Sequence, residues 1–227
     1  MRTVAELEKV SKYAETNYMV SNKKKSKVML FNPKNRSLDF QPKVTLRGET
    51  LDVCEKMRLV GLIINDDLTW KDNTSSLVKR AYGKLWLLRR LKILGAETKI
   101  LRLIYFRHIR SILEFGVPVW NGAISVQESQ KLERVQKIAV HIIYGKNRSY
   151  REILEKYKLE RLSVRRQRLC LNFAKKSLKH SKFADWFVME HNDITGKTKF
   201  AETVSRFKRL QKSPIPYLTR LLNSNNV

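Results

Sequence analysis

The sequence predicts an α+β fold, in which a short N-terminal helix and a small antiparallel β-hairpin region precede a mainly α-helical bundle. Patterns of alternating apolar residues and turn residues are confined to the first 70 of the 227 residues. Apolar residues then recur at three- and four-residue spacing through the rest of the chain. Hydrophobic residues make up 42% of the sequence, which is enough for a folded core.

The N-terminal part contains one helical pattern and several extended ones. Residues 4–15 place apolar side chains on one helical face. Residues 26–31 (SKVMLF) alternate as a strand does, and the NPKN that follows them predicts a turn. We expect a hairpin that turns at residues 47–49, and then an apolar strand over residues 58–64 that ends in an Asn-Asp-Asp turn.

Four or five helices are predicted after residue 71. Asp72, Asn73 and Thr74 are candidate N-caps of the first of these helices, and Gly95 is its expected end. Trp86 lies in the run LWLL, so we assign it to the core. The remaining helical patterns cover residues 97–112, 126–144, 149–156 and 164–178 and the terminal string SPIPYLTRLLN.

The chain carries a large excess of positive charge, with 47 Lys and Arg against 21 Asp and Glu, for a net charge of +26. Residues 79–110 hold ten Lys or Arg against one acidic residue, and residues 131–182 hold sixteen against four. Such faces are often simply solvated. Here the acids that would balance them are missing, so a polyanion is the expected partner, and nucleic acid is the obvious one.

The sequence also argues against several other classes of protein. No apolar stretch approaches the roughly 18 residues that cross a bilayer, and MRTVAELEKV lacks the apolar core of a secretion signal. We therefore expect a nuclear or cytoplasmic protein that is not secreted and does not bind a membrane. Cys54 and Cys170 lack the paired spacing of zinc ligands, so we expect two reduced thiols and no metal site.

Five segments of the chain together resemble the reverse transcriptases of non-LTR, LINE-type retrotransposons, particularly the jockey-like elements. They occur in the family's order, and the resemblance covers essentially the whole chain: NYMVSNKKKSKVMLF, RLVGLIINDDLTW, SILEFGVPVWNG, LERVQKIAVHIIYG, and a C-terminal region formed by RRQRLCLNFAKK and SPIPYLTRLLN. The match has two departures from the usual pattern. Val60 replaces a Leu in the Leu-Gly hairpin, and Phe115 stands where Tyr is commoner.

The resemblance implies that this chain is the C-terminal part of an RNA-directed DNA polymerase. Residues 1–70 would be the end of the palm with its primer-grip-like hairpin, residues 71–125 the thumb-like helices, and residues 126–227 a basic helical region. The implied partners are RNA and DNA in the form of a template-primer. A palm, fingers or endonuclease region would belong to a longer polyprotein.

The resemblance also implies particular site residues. Lys25 matches a family Lys near the incoming nucleotide, although it could equally belong to a solvated lysine turn. Gly61, with its neighbour Leu62, matches the primer grip, where the missing side chain would let the primer end approach; a glycine in a β-bulge is the alternative. The cations expected along the nucleic-acid backbone are Lys79, Arg80, Lys84, Arg89, Arg90, Lys131, Arg134, Lys137, Arg165 and Arg166.

No catalytic residue is assigned to this chain. Polymerases of this class hold two metal ions on aspartates of facing palm strands, including an aromatic-x-Asp-Asp motif. The acidic doublet Asp66–Asp67 follows Ile64 and Asn65, without the aromatic residue, so we interpret it as a turn. The metal-binding carboxylates are expected upstream of residue 1, and Mg²⁺ is expected only for an intact polymerase.

Two alternatives to a polymerase fragment stay open at this point. The chain could be a host-retained basic module that binds nucleic acid and has no link to polymerisation. It could also be the untranslated product of a pseudogene. Salt-sensitive binding would not separate the first alternative from a polymerase fragment, whereas preference for a recessed primer-template would.

Overall fold

The computed structural model describes residues 2–20, 22, 25–31, 43–192, 197–203 and 206–225. These residues belong to two compact units, which divide between Leu68 and Thr69. The predicted α+β class is confirmed, because helices dominate the described chain and each of its strand pairs is a small antiparallel hairpin.

The N-terminal unit consists of one helix and two hairpins, each closed by a two-residue turn. The elements are α1 (Arg2–Thr16), β1 (Thr45–Leu46), β2 (Glu49–Thr50), β3 (Lys56–Leu59) and β4 (Leu62–Asn65). The β1–β2 turn is formed by Arg47 and Gly48, both with positive φ, within the hairpin turn that the sequence predicts. The left-handed conformation at both turn positions is what a type I′ hairpin requires.

Two strand predictions in this unit are wrong. Residues 26–31 form no strand; Val28 makes only an isolated parallel bridge with Val53. The single strand expected over residues 58–64 is instead split by a turn at Val60 and Gly61, so that β3 and β4 pair with each other. The NPKN segment lies outside the described residues.

The C-terminal unit is mainly helical. Its helices are α2 (Lys71–Ile93), α3 (Thr98–Ile104), a π-helical stretch (Tyr105–Arg110), α4 (Ser111–Leu113), α5 (Val117–Trp120), α6 (Val126–Tyr144), α7 (Tyr150–Lys156), α8 (Leu162–Leu178), a 3₁₀ turn (Ser181–Trp186), α9 (Lys208–Gln211) and α10 (Pro214–Ser224). The boundaries of α6 agree with the prediction, and Gly145 follows its last residue. Gly95 likewise follows the end of α2 with a φ of +79°.

The start of α2 differs from the prediction. Trp70, in the left-handed conformation, is the N-cap of this helix, and its carbonyl accepts the Thr74 N–H at 3.0 Å. Asn73 and Thr74 are therefore inside the first turn, where both are buried. Within the segment predicted as one helix over residues 97–112, six residues adopt the wider π-helical turn.

The C-terminal unit is not entirely helical, which corrects the prediction of an all-helical bundle. Strands β5 (Met189–Asn192) and β6 (Lys197–Phe200) form an antiparallel hairpin. The Asn223 side chain of α10 holds this hairpin, since it accepts the Phe200 N–H at 2.9 Å and donates to the Phe200 carbonyl at 3.0 Å. Within the residues that the structure describes, no helix has the length and apolar character needed to span a bilayer.

Helices on both sides of residue 125, where the sequence predicts a domain boundary, pack together in one unit. The buried face of α2 lies along α6. The Lys92 ammonium at the end of α2 donates to the Ile143 carbonyl of α6 at 3.2 Å.

The buried Cys170 of α8 is a free thiol, and burial raises its pKa to about 12, so it is neutral at physiological pH.

One carboxylate joins three helices of this unit. Glu133 of α6 accepts a hydrogen bond from the Tyr150 hydroxyl of α7 at 2.5 Å. It also accepts the Leu162 and Ser163 N–H groups at the start of α8, each at 3.2 Å. A carboxylate at a helix N-terminus satisfies donors that have no partner within the helix. This carboxylate therefore fixes where α8 begins relative to α6.

Candidate nucleic-acid interface

Helix α2 exposes five of the predicted cations. Its buried residues Leu77, Ala81, Leu85 and Leu88 form one face that is turned toward the core of the unit. The predicted cations all lie outside that face and are exposed: Lys79, Arg80, Lys84, Arg89 and Arg90. The apolar spacing of three and four residues predicts this division of the helix, because such residues share one side of it.

These five cations have no ion-pair partner among the described residues. The only acidic residue of α2 is Asp72, in its first turn. Of these cations, Arg80 and Lys84 are four residues apart, and like charges at that spacing on a helix repel each other. The unbalanced positive charge of α2 becomes favourable when a polyanion lies across it.

Helix α6 exposes a second group of predicted cations. Lys131, Arg134 and Lys137 are exposed and, within the described chain, have no ion-pair partner. These cations lie outside the buried residues of α6, just as the cations of α2 lie outside the buried residues of that helix. The eight residues thus belong to two helices that pack together in one unit.

Arg166 does not belong to this surface. Its side chain is 1% exposed, its Nε donates to the Asn121 Oδ1 at 2.8 Å, and its Nη2 donates to the Ser129 Oγ at 2.6 Å. Burial lowers the pKa of this guanidinium. The structure corrects the prediction of a phosphate contact here, because the guanidinium is bound inside the fold.

Arg165 is also engaged within the chain. Its guanidinium forms an ion pair with Glu114, and a second carboxylate, that of Glu160, lies 4.0 Å away. Only 21% of the Arg165 side chain is exposed. Glu114 also pairs with Arg110, and Glu160 with Arg168, so Arg165 belongs to a cluster of ion pairs within the fold and is not part of the exposed cationic surface.

Lys25 lies in a turn after α1. Its backbone N–H donates to the Asn22 carbonyl at 3.1 Å, and the Asn22 carbonyl also accepts the Ser26 hydroxyl at 2.9 Å. The residues that match the family's Asn-x-x-Lys-Ser/Thr pattern thus form one local turn, from which Lys25 is exposed. Lys23 and Lys24 lie outside the described residues. The proximity of Lys25 to a nucleotide stays a prediction.

Gly61 and Leu62 lie at the tip of the β3–β4 hairpin. Val60 and Gly61 form its turn with φ angles of +48° and +84°, and Leu62 pairs with Leu59. Gly61 is therefore in a tight turn and not in a bulge. Val60 is 85% exposed, so the tip presents an apolar side chain to solvent. Contact between this tip and a primer stays a prediction.

The acidic doublet follows the same hairpin. Asp66 and Asp67 form a turn directly after β4, as predicted, and the Asp66 N–H donates to the Glu55 carbonyl at 2.8 Å. In the part of the chain that the structure describes, no three His, Cys, Asp or Glu side chains are grouped as metal ligands would be. The doublet is thus a turn that continues the hairpin.

Trp86 is the functional candidate that the sequence prediction misplaced. It is 63% exposed, whereas its neighbour Leu85 is fully buried. Successive helical residues are rotated by about 100° around the helix axis, so a residue next to a core residue can face solvent. The helical spacing in the sequence could have predicted this exposure, because Trp86 lies four residues after Tyr82 and four before Arg90, on the polar side of α2.

Comparisons with protein-family models, with curated proteins and with solved structures found no match. The resemblance to non-LTR reverse transcriptases therefore depends on the sequence segments quoted above. The structure contributes the exposed, unpaired cations of α2 and α6, the hairpin at Gly61 and the turn at Lys25.

Proposed function

We propose that this chain binds nucleic acid through the phosphate backbone, along the exposed face of α2, as the C-terminal part of a non-LTR, jockey-like reverse transcriptase. The observation that carries the binding proposal is the set of five exposed cations on α2 without ion-pair partners in the described chain. The quoted sequence segments carry the polymerase assignment.

Binding of this kind is driven largely by counterion release. Each phosphate that a Lys or Arg neutralises frees condensed cations from the nucleic acid, so affinity falls steeply as salt concentration rises. Contacts to phosphates position a protein on the strand without reading its sequence. The α2 surface therefore suits a protein that must hold many different template-primers.

Within this proposal the N-terminal unit keeps the supporting roles that the resemblance implies. The exposed β3–β4 tip at Val60–Gly61 would contact the primer, and Lys25 would lie near the incoming nucleotide. Addition of nucleotides needs two Mg²⁺ ions held by fixed carboxylates. We assign those carboxylates to another part of the polymerase, because Asp66 and Asp67 lack the preceding aromatic residue and, among the described residues, no third ligand is grouped with them.

The first experiment measures affinity for a recessed RNA–DNA primer-template and for a blunt duplex of the same length. We expect tighter binding to the primer-template, and we expect Arg89→Glu with Arg90→Glu to weaken binding to every sequence alike. Arg151→Glu is the matched control for Arg89→Glu and for Arg90→Glu made singly, because Arg151 is exposed but already paired with Glu155. Equal affinity for both substrates would favour a basic binding module unrelated to polymerisation.

A second experiment tests the assignment of catalysis to another part of the polymerase. The purified 227-residue chain is incubated with primer-template, nucleotides and either Mg²⁺ or Mn²⁺. We expect no primer extension. Measurable synthesis that survives Asp66→Asn with Asp67→Asn would point to other carboxylates in this chain, and synthesis lost in that variant would make the doublet catalytic.

A further inference from the structure

The cationic face of α2 also carries two exposed aromatic rings. Trp86 is 63% exposed and Tyr82 is 37% exposed. The two residues are four positions apart, so their Cβ atoms are neighbours on the helix surface, about 5–6 Å from each other. Among the described residues, neither ring stacks on another aromatic ring, and neither side chain has a hydrogen-bond partner.

Gly83 lies on the exposed side of α2, directly after Tyr82 in sequence and three residues before Trp86. It is exposed, and a Cβ built on it would meet no atom within 4 Å. Glycine is one of the poorest helix formers, and here packing within the chain gives no reason for it. Its effect is to leave open space beside Trp86, in the middle of a helix of 23 residues.

Cations surround these rings at helical spacing. Arg89 and Arg90 lie three and four residues after Trp86, and Lys79 lies three residues before Tyr82. A partner that complements this surface carries regular negative charge together with flat faces that can cover aromatic rings. Single-stranded nucleic acid has both properties, whereas a duplex stacks its bases against one another and an acidic peptide lacks regular planar groups.

We propose that Tyr82 and Trp86 stack on unpaired bases of a single-stranded segment whose phosphates are held by Lys79, Arg89 and Arg90, with Gly83 leaving room for the bases. This inference deepens the proposed function and rests on it, because the same face of α2 binds the strand. Stacking of this kind tolerates any base, since every base has a π face.

The test compares three polyanions: an unstructured single-stranded DNA oligonucleotide, the blunt duplex of the same sequence, and heparin, which has no bases. Trp86→Ala removes the ring on which one base stacks, so we expect its affinity for the single strand to fall by about fivefold or more. Binding to the duplex and to heparin should not change. Trp86→Phe should keep most of the single-strand affinity, and Leu94→Ala, which shortens another exposed apolar side chain, should keep all of it.

The outcomes separate this inference from the proposed function. Trp86→Ala with unchanged single-strand affinity, or with equal losses for single strand and duplex, would overturn stacking but would not contradict the proposed function. If the wild-type chain bound none of the three polyanions, the proposed function itself would fail, and the stacking inference with it.

Gly83→Gln tests the role of the space at Gly83 without destabilising the helix. Gln is a much better helix former than Gly, so we expect a higher thermal midpoint. Its side chain would also fill the space beside Trp86, so we expect weaker single-strand binding. A gain in stability with unchanged single-strand affinity would overturn the role given to this space. Gly83→Ala is the milder control, because its methyl group occupies little of the space.

Tryptophan fluorescence gives an independent readout. Trp70 and Trp120 are buried and Trp186 is partly buried, so Trp86 is the most exposed of the four tryptophans. Binding of the single strand should quench the tryptophan emission of the wild-type protein. It should also make the remaining emission less sensitive to quenching by acrylamide. Both effects should be largely lost in Trp86→Phe, and their persistence in that variant would contradict stacking on Trp86.

Discussion

Val60 adopts a backbone conformation that β-branched residues rarely occupy. Its φ is +48° in a turn whose two central residues are both left-handed, a geometry for which Asn-Gly is the preferred sequence. An L-residue with a side chain is disfavoured there by about 1–2 kcal/mol. Strain of this order at an exposed tip is often associated with a functional site.

Val60→Asn should therefore stabilise the β3–β4 hairpin. We expect amide protons of β3 and β4 to exchange up to about tenfold more slowly, because relief of about 1.4 kcal/mol of strain changes the opening equilibrium tenfold. Val20→Asn is the control, since Val20 is similarly exposed but has no positive φ. Equal protection in the wild-type hairpin and in Val60→Asn would show that the turn is not strained.

The buried guanidinium of Arg166 should matter for stability and not for phosphate binding. Arg166→Ala leaves a cavity and removes the donors that Asn121 and Ser129 accept. We expect the free energy of unfolding to fall by about 2–4 kcal/mol in urea titrations. Lys137→Ala, at an exposed position, should change it by less than about 0.5 kcal/mol. Similar stability of the two variants would contradict the assigned role.

The positions of Trp86 and Arg166 were predicted wrongly. Both predictions used the residue type and the neighbours in sequence, but Trp86 is exposed and not in the core, and Arg166 is buried and not on the surface. Arg166 is buried because Asn121 and Ser129, which are distant in sequence, supply acceptors for its guanidinium. Partners that distant are set by tertiary packing, which a local pattern does not contain. The exposed cations of α2 were predictable because helical periodicity alone separates them from the core face.

At the scale of elements, helix ends with side-chain caps were the best predicted. Ser125 Oγ accepts the Glu128 N–H at 3.2 Å, and a Glu128 carboxylate oxygen accepts the Ser125 N–H at 2.9 Å. The two residues of this capping box are only three positions apart in the sequence, and the predicted start of α6 agrees with the structure. By contrast, the start of α2 was misplaced, because the cap residue types Asp72, Asn73 and Thr74 lie just after Trp70, which caps the helix without a side-chain hydrogen bond.

Ser125→Ala should lower the free energy of unfolding by about 1 kcal/mol, because it leaves an N-terminal N–H of α6 without its acceptor. Ser125→Thr keeps a hydroxyl at the cap and should retain most of the stability. Urea unfolding monitored by circular dichroism compares the three proteins. Equal unfolding midpoints for the Ala and Thr variants would show that the capping hydrogen bond contributes nothing measurable.

Strands were predicted less well than helices because their partners are not local. The apolar run over residues 58–64 reads as one buried strand, but its turn depends on two consecutive left-handed residues, one of which is Val60. The β5–β6 hairpin went unpredicted, and it is held in place by Asn223, which is more than 20 residues away. For residues 26–31 the alternating pattern was present, but only Val28 found a bridging partner.

At the scale of the whole molecule, the net charge of +26 and the five unpaired cations of α2 predict strong salt dependence. A duplex held by about three to five of these phosphate contacts should give a slope of about −3 to −5 in a plot of log affinity against log salt concentration. Arg89→Gln with Arg90→Gln should reduce the size of this slope by about 2. Arg151→Gln should leave it unchanged, and a flat wild-type plot would exclude the phosphate contacts.

The presence of exposed, unpaired cations on both α2 and α6 has a consequence for how the protein behaves on long nucleic acids. Cations on two helices of one unit give a single molecule two places at which to contact phosphates, and we expect that it can therefore join two strands. Long nucleic acids should then condense into light-scattering particles at limiting protein, while short oligonucleotides remain as small, discrete complexes. Neutralising Lys131, Arg134 and Lys137 should abolish condensation and spare binding of the first strand.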